Sequence, residues 1–277
     1  MSSDLLMSLR PTAFRSWLVL ALGLAGATSS QAALIITYAE SPGEMQTTLT
    51  STQVFTFNSL PGNSRQSNVS WAGVGTINQV YVRSADQYGG ATLDGLTTGT
   101  NTNYAVQSTS VGGGSATSST TLTFAAEQAY FGLWWSAGDP NNQLQFYKNS
   151  VLVAQYSTLT LLDAVAADAG YKGNPTTAFV GKNAGEGYAF VNFFGLEGTT
   201  WDTIVFTNTA NTGFESDNWT TRFEAYGTLP GEDPDELPGK EVAKVTGTRV
   251  ETLPEPTAVV FAGLGGLLAL VRRRRAV

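Results

Sequence analysis

The chain has 277 residues, enough for one large domain or two small ones, and it contains neither cysteine nor histidine. Disulfides, thiolate metal sites, cysteine nucleophiles and a serine–histidine–aspartate relay are therefore excluded. Residues 33–252 contain 9 Lys and Arg against 20 Asp and Glu, a balance of −11. Because such a surface repels phosphate groups, nucleic acid is not expected as a partner.

Residues 1–32 have the three-part order of a secretory signal peptide. Arg10 and Arg15 precede an apolar run at 17–27, and small residues at Ser30 and Ala32 occupy the two positions that a signal peptidase reads. The alternative, a short buried helix, does not account for this order. The sequence therefore predicts export, with signal peptidase as a processing partner.

Residues 33–227 are predicted to form one β-sandwich domain. Their apolar runs are short and lie between stretches rich in Gly, Ser, Thr and Asn. Polar and apolar residues alternate at 121–124 and 143–146, which indicates strands with one wet face. The pattern predicts an all-β fold, a two-sheet antiparallel β-sandwich of jelly-roll type. The predicted strands are 54–57, 77–83, 104–108, 120–124, 129–136, 143–147, 151–156, 188–194, 203–207 and 222–226.

Two segments depart from the strand pattern. Residues 159–169 place apolar side chains near helical spacing, with Ser157 or Thr158 as a candidate cap and Gly170 as a stop, so one short helix is predicted there. Residues 228–252 are acidic and proline-rich at 231–239. Such a composition buries too little apolar surface to offset its ordering entropy, which predicts a linker.

The C-terminal segment, residues 253–277, has three parts. Pro254, Glu255 and Pro256 favour extended backbone. The apolar run 257–271 spans about 22 Å as a helix, a marginal length for a bilayer. Four arginines follow, and the positive-inside rule predicts that they stay in the cytoplasm. The pattern predicts a separate C-terminal transmembrane-type helix. The arginines are Arg272, Arg273, Arg274 and Arg275.

This ending resembles the PEP-CTERM sorting signal of bacterial proteins that exosortase processes. The resemblance covers about 25 residues and rests on the Pro-Glu-Pro, the apolar run and the arginine cluster in that order. It implies an exported protein at the cell surface or outside the cell, anchored transiently in the inner membrane by residues 257–271 and cut by exosortase. The alternative is an ordinary single-span anchor, which leaves the Pro-Glu-Pro without a role.

Residues 54–219 are similar to a family of exosortase-dependent surface proteins. The matching segments are 130–139, which contains Trp-Trp-Ser-Ala-Gly-Asp, then 171–174, 189–194 and 213–218. The molecular activity of that family is undefined. The resemblance therefore implies a location and a β fold, and it implies no reaction.

Two polar segments are candidate loops for a calcium ion, the only cofactor that the sequence suggests. Ca²⁺ takes six to eight oxygen ligands from carboxylates, amides and carbonyls, commonly on loops. The alternative is turn chemistry, because Asp, Asn, Pro and Gly are common in turns for conformational reasons. The candidate ligands are Asp139, Asn141, Asn142, Glu215, Asp217 and Asn218.

Three indoles are candidate platforms for a sugar ring: Trp134, Trp135 and Trp219. Adjacent strand residues face opposite ways, so one of Trp134 and Trp135 is expected in the core. The alternative is that both are buried, because aromatic side chains dominate protein cores.

The sequence favours a non-catalytic surface or matrix protein that is adhesive or binds extracellular polysaccharide. The first alternative is a purely structural coat or biofilm-matrix component without a specific ligand. The second is a glycan hydrolase that uses two carboxylates. Nothing in their spacing singles out a pair among the available acids, which are Asp163, Asp168, Glu186, Glu197, Asp202, Glu215 and Glu224.

Overall fold

The computed structural model describes residues 33–91, 102–107, 119–196, 198–210, 212–246 and 249–251. These residues form antiparallel strands and one α-helix, which confirms the predicted β-rich antiparallel fold with a short helix. The strands are β1 Ala33–Tyr38, β2 Gln53–Phe55, β3 Ser64–Trp71, β4 Gly75–Ser84, β5 Asn103–Gln107, β6 Thr120–Gln128, β7 Tyr130–Gly138, β8 Asn142–Lys148, β9 Val151–Ser157, β10 Gly187–Leu196, β11 Trp201–Asn208, β12 Phe214–Arg222, β13 Lys240–Thr246 and β14 Arg249–Glu251.

The strands belong to one continuous sheet, which corrects the prediction of two separate sheets. Its order is β14-β13-β1-β10-β7-β12-β5-β4-β6-β11-β8-β9, with β2 beside β12 and β3 beside β4. Strand β4 joins the two halves, because its start pairs with β6 and its end pairs with β5. Gly75 lets the start of β4 lie close to β6, since an added Cβ at this position would lie 2.1 Å from the carbonyl oxygen of Thr123.

The two halves of the sheet pack face to face on an aromatic core. Phe206 on β11 stacks on Trp219 of β12, with ring centroids 4.3 Å apart and planes within 6°. Phe146 on β8 meets Phe193 on β10 at 5.2 Å. Trp219 reaches this core because β12 has a register shift between Asp217 and Thr220. Its indole nitrogen donates to Ser216 Oγ at 2.9 Å.

Two sequence predictions in the region of strand β12 were wrong. Residues 213–218 were expected in a loop and 222–226 in a strand, whereas the strand runs over Phe214–Arg222 and ends there. Its acidic and amide residues are uncommon in strands. A central position between β5 and β7 gives its backbone hydrogen-bond partners on both sides, which overrides the local preference.

The predicted linker 228–252 is also corrected. Lys240–Thr246 forms β13, which pairs with β1 on one side and with β14 on the other. Ala243 and Val245 of β13 are fully buried in the main core. In the preceding segment, Glu232 forms an ion pair with the buried guanidinium of Arg222, at the end of β12. The folded domain therefore extends beyond residue 227.

The helix α1 spans Leu159–Ala166 and is followed by a 3₁₀ turn at Ala169–Tyr171, in place of one helix over 159–169. Leu161 and Val165 are buried against the main core. Thr158 precedes the helix, but its hydroxyl donates to the carbonyl of Asp139 at 2.6 Å instead of capping the helix.

Among the described residues, no helix combines the length and the apolar composition that crossing a bilayer requires. The predicted signal peptide, the Pro-Glu-Pro segment, the apolar run 257–271 and the four arginines lie outside the described residues.

Candidate functional site

The three candidate sugar platforms are buried. Trp134 is 1% exposed, and Trp135 and Trp219 are 0% exposed. Trp135 and Trp219 belong to the main core, and Trp134 packs in a second cluster on the opposite face of the sheet, 6.4 Å from the ring of Tyr188. Because stacking requires an open ring face, the structure corrects the assignment of these indoles as glycan platforms.

The first candidate calcium loop, Asp139 to Asn142, is held by hydrogen bonds to its own backbone and to the β11–β12 loop. Asp139 Oδ1 accepts from the backbone N–H of Asn141 at 2.7 Å, and its Oδ2 accepts from the Thr212 hydroxyl. With its amide oriented to satisfy both groups, Asn142 accepts from the Trp135 indole at 3.0 Å and donates to the carbonyl of Gly213 at 3.1 Å. These bonds join two loops at one end of the sheet.

The second set of candidate ligands lies on β12 and holds covering segments in place. Asp217 Oδ2 accepts from the backbone N–H of Ala91 at 2.9 Å, and Asn218 Nδ2 donates to the carbonyl of Met45 at 2.8 Å. Within the part of the chain that the structure describes, no three acidic side chains are grouped so that they could hold a metal ion. Calcium binding at these residues stays a prediction.

Glu215, 8% exposed on β12, is a buried carboxyl that forms no ion pair with any residue that the structure describes. Burial raises its pKa to about 8, and the negative charges of Asp139 and Asp86 add to that rise. The positive charge of Arg83 and a hydrogen bond to its own backbone act in the opposite direction. At neutral pH most Glu215 carboxyls are therefore protonated.

A turn at Asp86–Gly89 lies over the face of the sheet that carries Glu215. Hydrogen bonds hold this turn from several sides. The hydroxyl of Tyr188 donates to the carbonyl of Gln87 at 2.7 Å, and Asn174 Nδ2 donates to the same carbonyl at 3.2 Å. Gly89 lies directly on the ring of Tyr104, because an added Cβ would lie 2.6 Å from that ring. The turn is thus held rigidly although it is on the surface.

A second loop, residues 173–183, faces this turn and is closed by its own backbone. The N–H of Asn174 donates to the carbonyl of Lys182 at 2.8 Å, and the N–H of Gly181 donates to the carbonyl of Asn174 at 3.0 Å. The side-chain oxygen of Asn174 accepts from the N–H and the hydroxyl of Thr176, at 2.9 and 2.6 Å. Asn174 therefore braces both this loop and the turn.

The turn and the loop border a shallow, open groove of about 370 Å³, called here the 83–182 groove. Tyr88 presents 37% of its surface to solvent, and the guanidinium of Arg83 lies 5.3 Å from the centre of its ring. Arg83 also forms an ion pair with Asp86 at 2.7 Å. The groove is lined by Arg83, Asp86, Gln87, Tyr88, Phe179 and Lys182.

Sequence patterns did not identify this groove. Its two walls lie about 90 residues apart in the chain, and each reads as an ordinary turn or loop. The local signals were the turn-forming residues at 84–90 and 173–176. Their meeting depends on Asn174 and Tyr188, whose roles no local spacing reveals.

No known family model, no characterised protein and no solved structure matches this chain. The function must therefore be inferred from the residues and geometry of the chain itself.

Proposed function

We propose that this protein is an exported, non-catalytic surface or matrix protein that binds extracellular polysaccharide in the 83–182 groove. In this proposal, signal peptidase removes residues 1–32, and exosortase cuts the chain near Pro254, after residues 257–271 have anchored it in the inner membrane. The PEP-CTERM-like ending described above supports the sorting steps, and the groove supports the binding step.

The observation that carries the binding proposal is a partly exposed aromatic ring, with Arg83 near one face, beside polar groups that hydrogen bonds hold in place. Sugar rings stack their C–H faces on aromatic side chains, and their hydroxyls bond to amides and charged groups. Tyr88 supplies the ring, and Gln87 and Arg83 supply donors. Since the turn and the loop are already fixed by hydrogen bonds, binding costs little ordering entropy.

The same geometry supports binding over hydrolysis. A glycan hydrolase needs two carboxyl groups that face one open cleft. Asp86, the carboxylate in the groove, is engaged by Arg83, and Glu215 is covered on the sheet face. We propose that the two halves of the single sheet, which β4 connects, pack as a jelly-roll-like sandwich that holds the groove rigid and takes no part in covalent chemistry.

Co-sedimentation of the purified full-length chain with a panel of bacterial polysaccharides tests this proposal. Binding is expected for at least one polysaccharide, and Tyr88→Ala is expected to weaken it about tenfold, the equivalent of one aromatic contact. Phe223→Ala is the matched control, because Phe223 is 63% exposed and lies outside the groove.

Two outcomes would overturn the proposal. The first is binding that Tyr88→Ala leaves unchanged while Phe223→Ala reduces it, which would place the site elsewhere. The second is self-association without binding to any polysaccharide, which would favour the structural coat component.

A further inference from the structure

We infer that the 83–182 groove selects saccharides that carry a carboxylate, the uronic acids of acidic polysaccharides. This inference rests on the proposed function and specifies its ligand. It follows from the donors and acceptors that the groove leaves unused.

The Asp86 carboxylate and the backbone carbonyl of Gln87, two acceptors in the groove, are already engaged. Asp86 Oδ1 accepts from the N–H of Tyr88 at 2.8 Å and from the hydroxyl of Tyr104 at 3.0 Å, and its Oδ2 faces Arg83 at 2.7 Å. The backbone carbonyl of Gln87 accepts from Tyr188 and Asn174. A ligand that brings donors, such as an amino sugar, therefore meets few free oxygens.

The donors, by contrast, exceed what these bonds use. Arg83 carries five N–H groups, and the ion pair with Asp86 involves one of its nitrogens. Lys182 is exposed and forms no ion pair with any residue that the structure describes. Its backbone is fixed, because its N–H donates to the carbonyl of Phe179 at 2.9 Å. A planar carboxylate complements these donors and supplies the missing negative charge.

The acidity of the domain as a whole does not oppose this ligand strongly. Distant charges are screened at about 8 Å in physiological salt, so a short oligosaccharide responds mainly to the groups that line the groove. There the charges are Arg83 and Lys182 against Asp86, a balance of +1. The nearby carboxyl of Glu215 is largely protonated at neutral pH, because burial raises its pKa.

Calorimetry of the full-length chain with two ligands that share one backbone tests the inference. The ligands are trigalacturonate and its methyl ester, in which the carboxylates are neutral. At physiological salt the acid is expected to bind about tenfold more tightly than the ester, the scale of one charge-assisted hydrogen bond. Lys182→Ala is expected to remove most of this preference, whereas Lys172→Ala, an exposed lysine outside the groove, leaves it intact.

Equal affinity for acid and ester, or a preference that Lys182→Ala does not change, would overturn the inference. The proposed function would survive that result if Tyr88→Ala still weakened polysaccharide binding. If neither trigalacturonate nor any polysaccharide of the panel binds, the proposed function fails together with its ligand assignment.

Discussion

A chain that ends at Gly239 is expected to lose at least about 4 kcal/mol of folding free energy, or to fail to fold. The truncation removes β13, whose Val245 and Ala243 are fully buried, and burial of a valine alone is worth about 1.5–3 kcal/mol. It also removes the ladder between β13 and β1, each bond of which contributes about 0.5–1.5 kcal/mol. Denaturant unfolding of the truncated and longer chains measures the difference.

The matched control is a chain that ends at Glu251, which keeps β13 and β14 and lacks the whole predicted sorting segment. We expect it to unfold at the same denaturant concentration as the chain that includes the sorting segment. If the chain that ends at Gly239 were as stable as this control, residues 240–251 would be a linker after all.

Glu215→Gln is expected to remove a large part of the dependence of stability on pH. The pKa of Glu215 is raised to about 8 in the folded protein, from an ordinary value of 4.5. Below the pKa of Glu215 in the unfolded protein, the carboxyl is protonated in both the folded and the unfolded state, and stability is highest. As pH rises towards 8, only the unfolded state releases the proton, so stability falls by about 1.4 kcal/mol per pH unit.

Above the pKa of the folded state, Glu215 is ionised in both the folded and the unfolded protein, and the loss of stability is complete. Glutamine has the same shape and no charge. The stability of the variant relative to the natural protein should therefore rise steadily between pH 5 and pH 8. Urea unfolding across that range measures the gain. Glu236→Gln, at an exposed position, is the control and should leave the slope unchanged. A slope that Glu215→Gln does not alter would show that this carboxyl is ionised at neutral pH.

The parts of the fold that the sequence predicted well are those with local periodicity. Strands β7 and β10 are buried along nearly their whole length, and both appear in the sequence as largely apolar runs, with Ser136 in β7 and Asn192 in β10 as exceptions. Helix α1 was predicted from the spacing of Leu161 and Val165. In these elements the hydrophobic pattern and the final burial agree, which is why the sequence was sufficient.

The prediction failed where partners far along the chain determine the conformation. Strand β12 contains Glu215, Asp217 and Asn218, which local preferences place in loops, yet two neighbouring strands and several covering segments bind them. Strand β13 follows an acidic, proline-rich stretch and belongs to the fold because β1 pairs with it. Neither outcome can be inferred from local composition.

The candidate site was the least predictable feature. Sequence analysis favoured the large indoles, but in a domain whose core contains many aromatic rings these side chains are buried inside. The smaller aromatic Tyr88 stays partly exposed because its turn is held by hydrogen bonds from Tyr188 and Asn174. The exposure of a ring depends on the path of its backbone, which the residue type alone does not specify.

The central claim is that the described β domain works outside the cell after both ends of the chain are removed. Intact-mass spectrometry of the protein isolated from both the intracellular and the extracellular fractions of its native cells tests this claim most directly. The account predicts a species that lacks residues 1–32 and the four arginines at 272–275. A single intracellular species that retains both Met1 and Arg275 would contradict it.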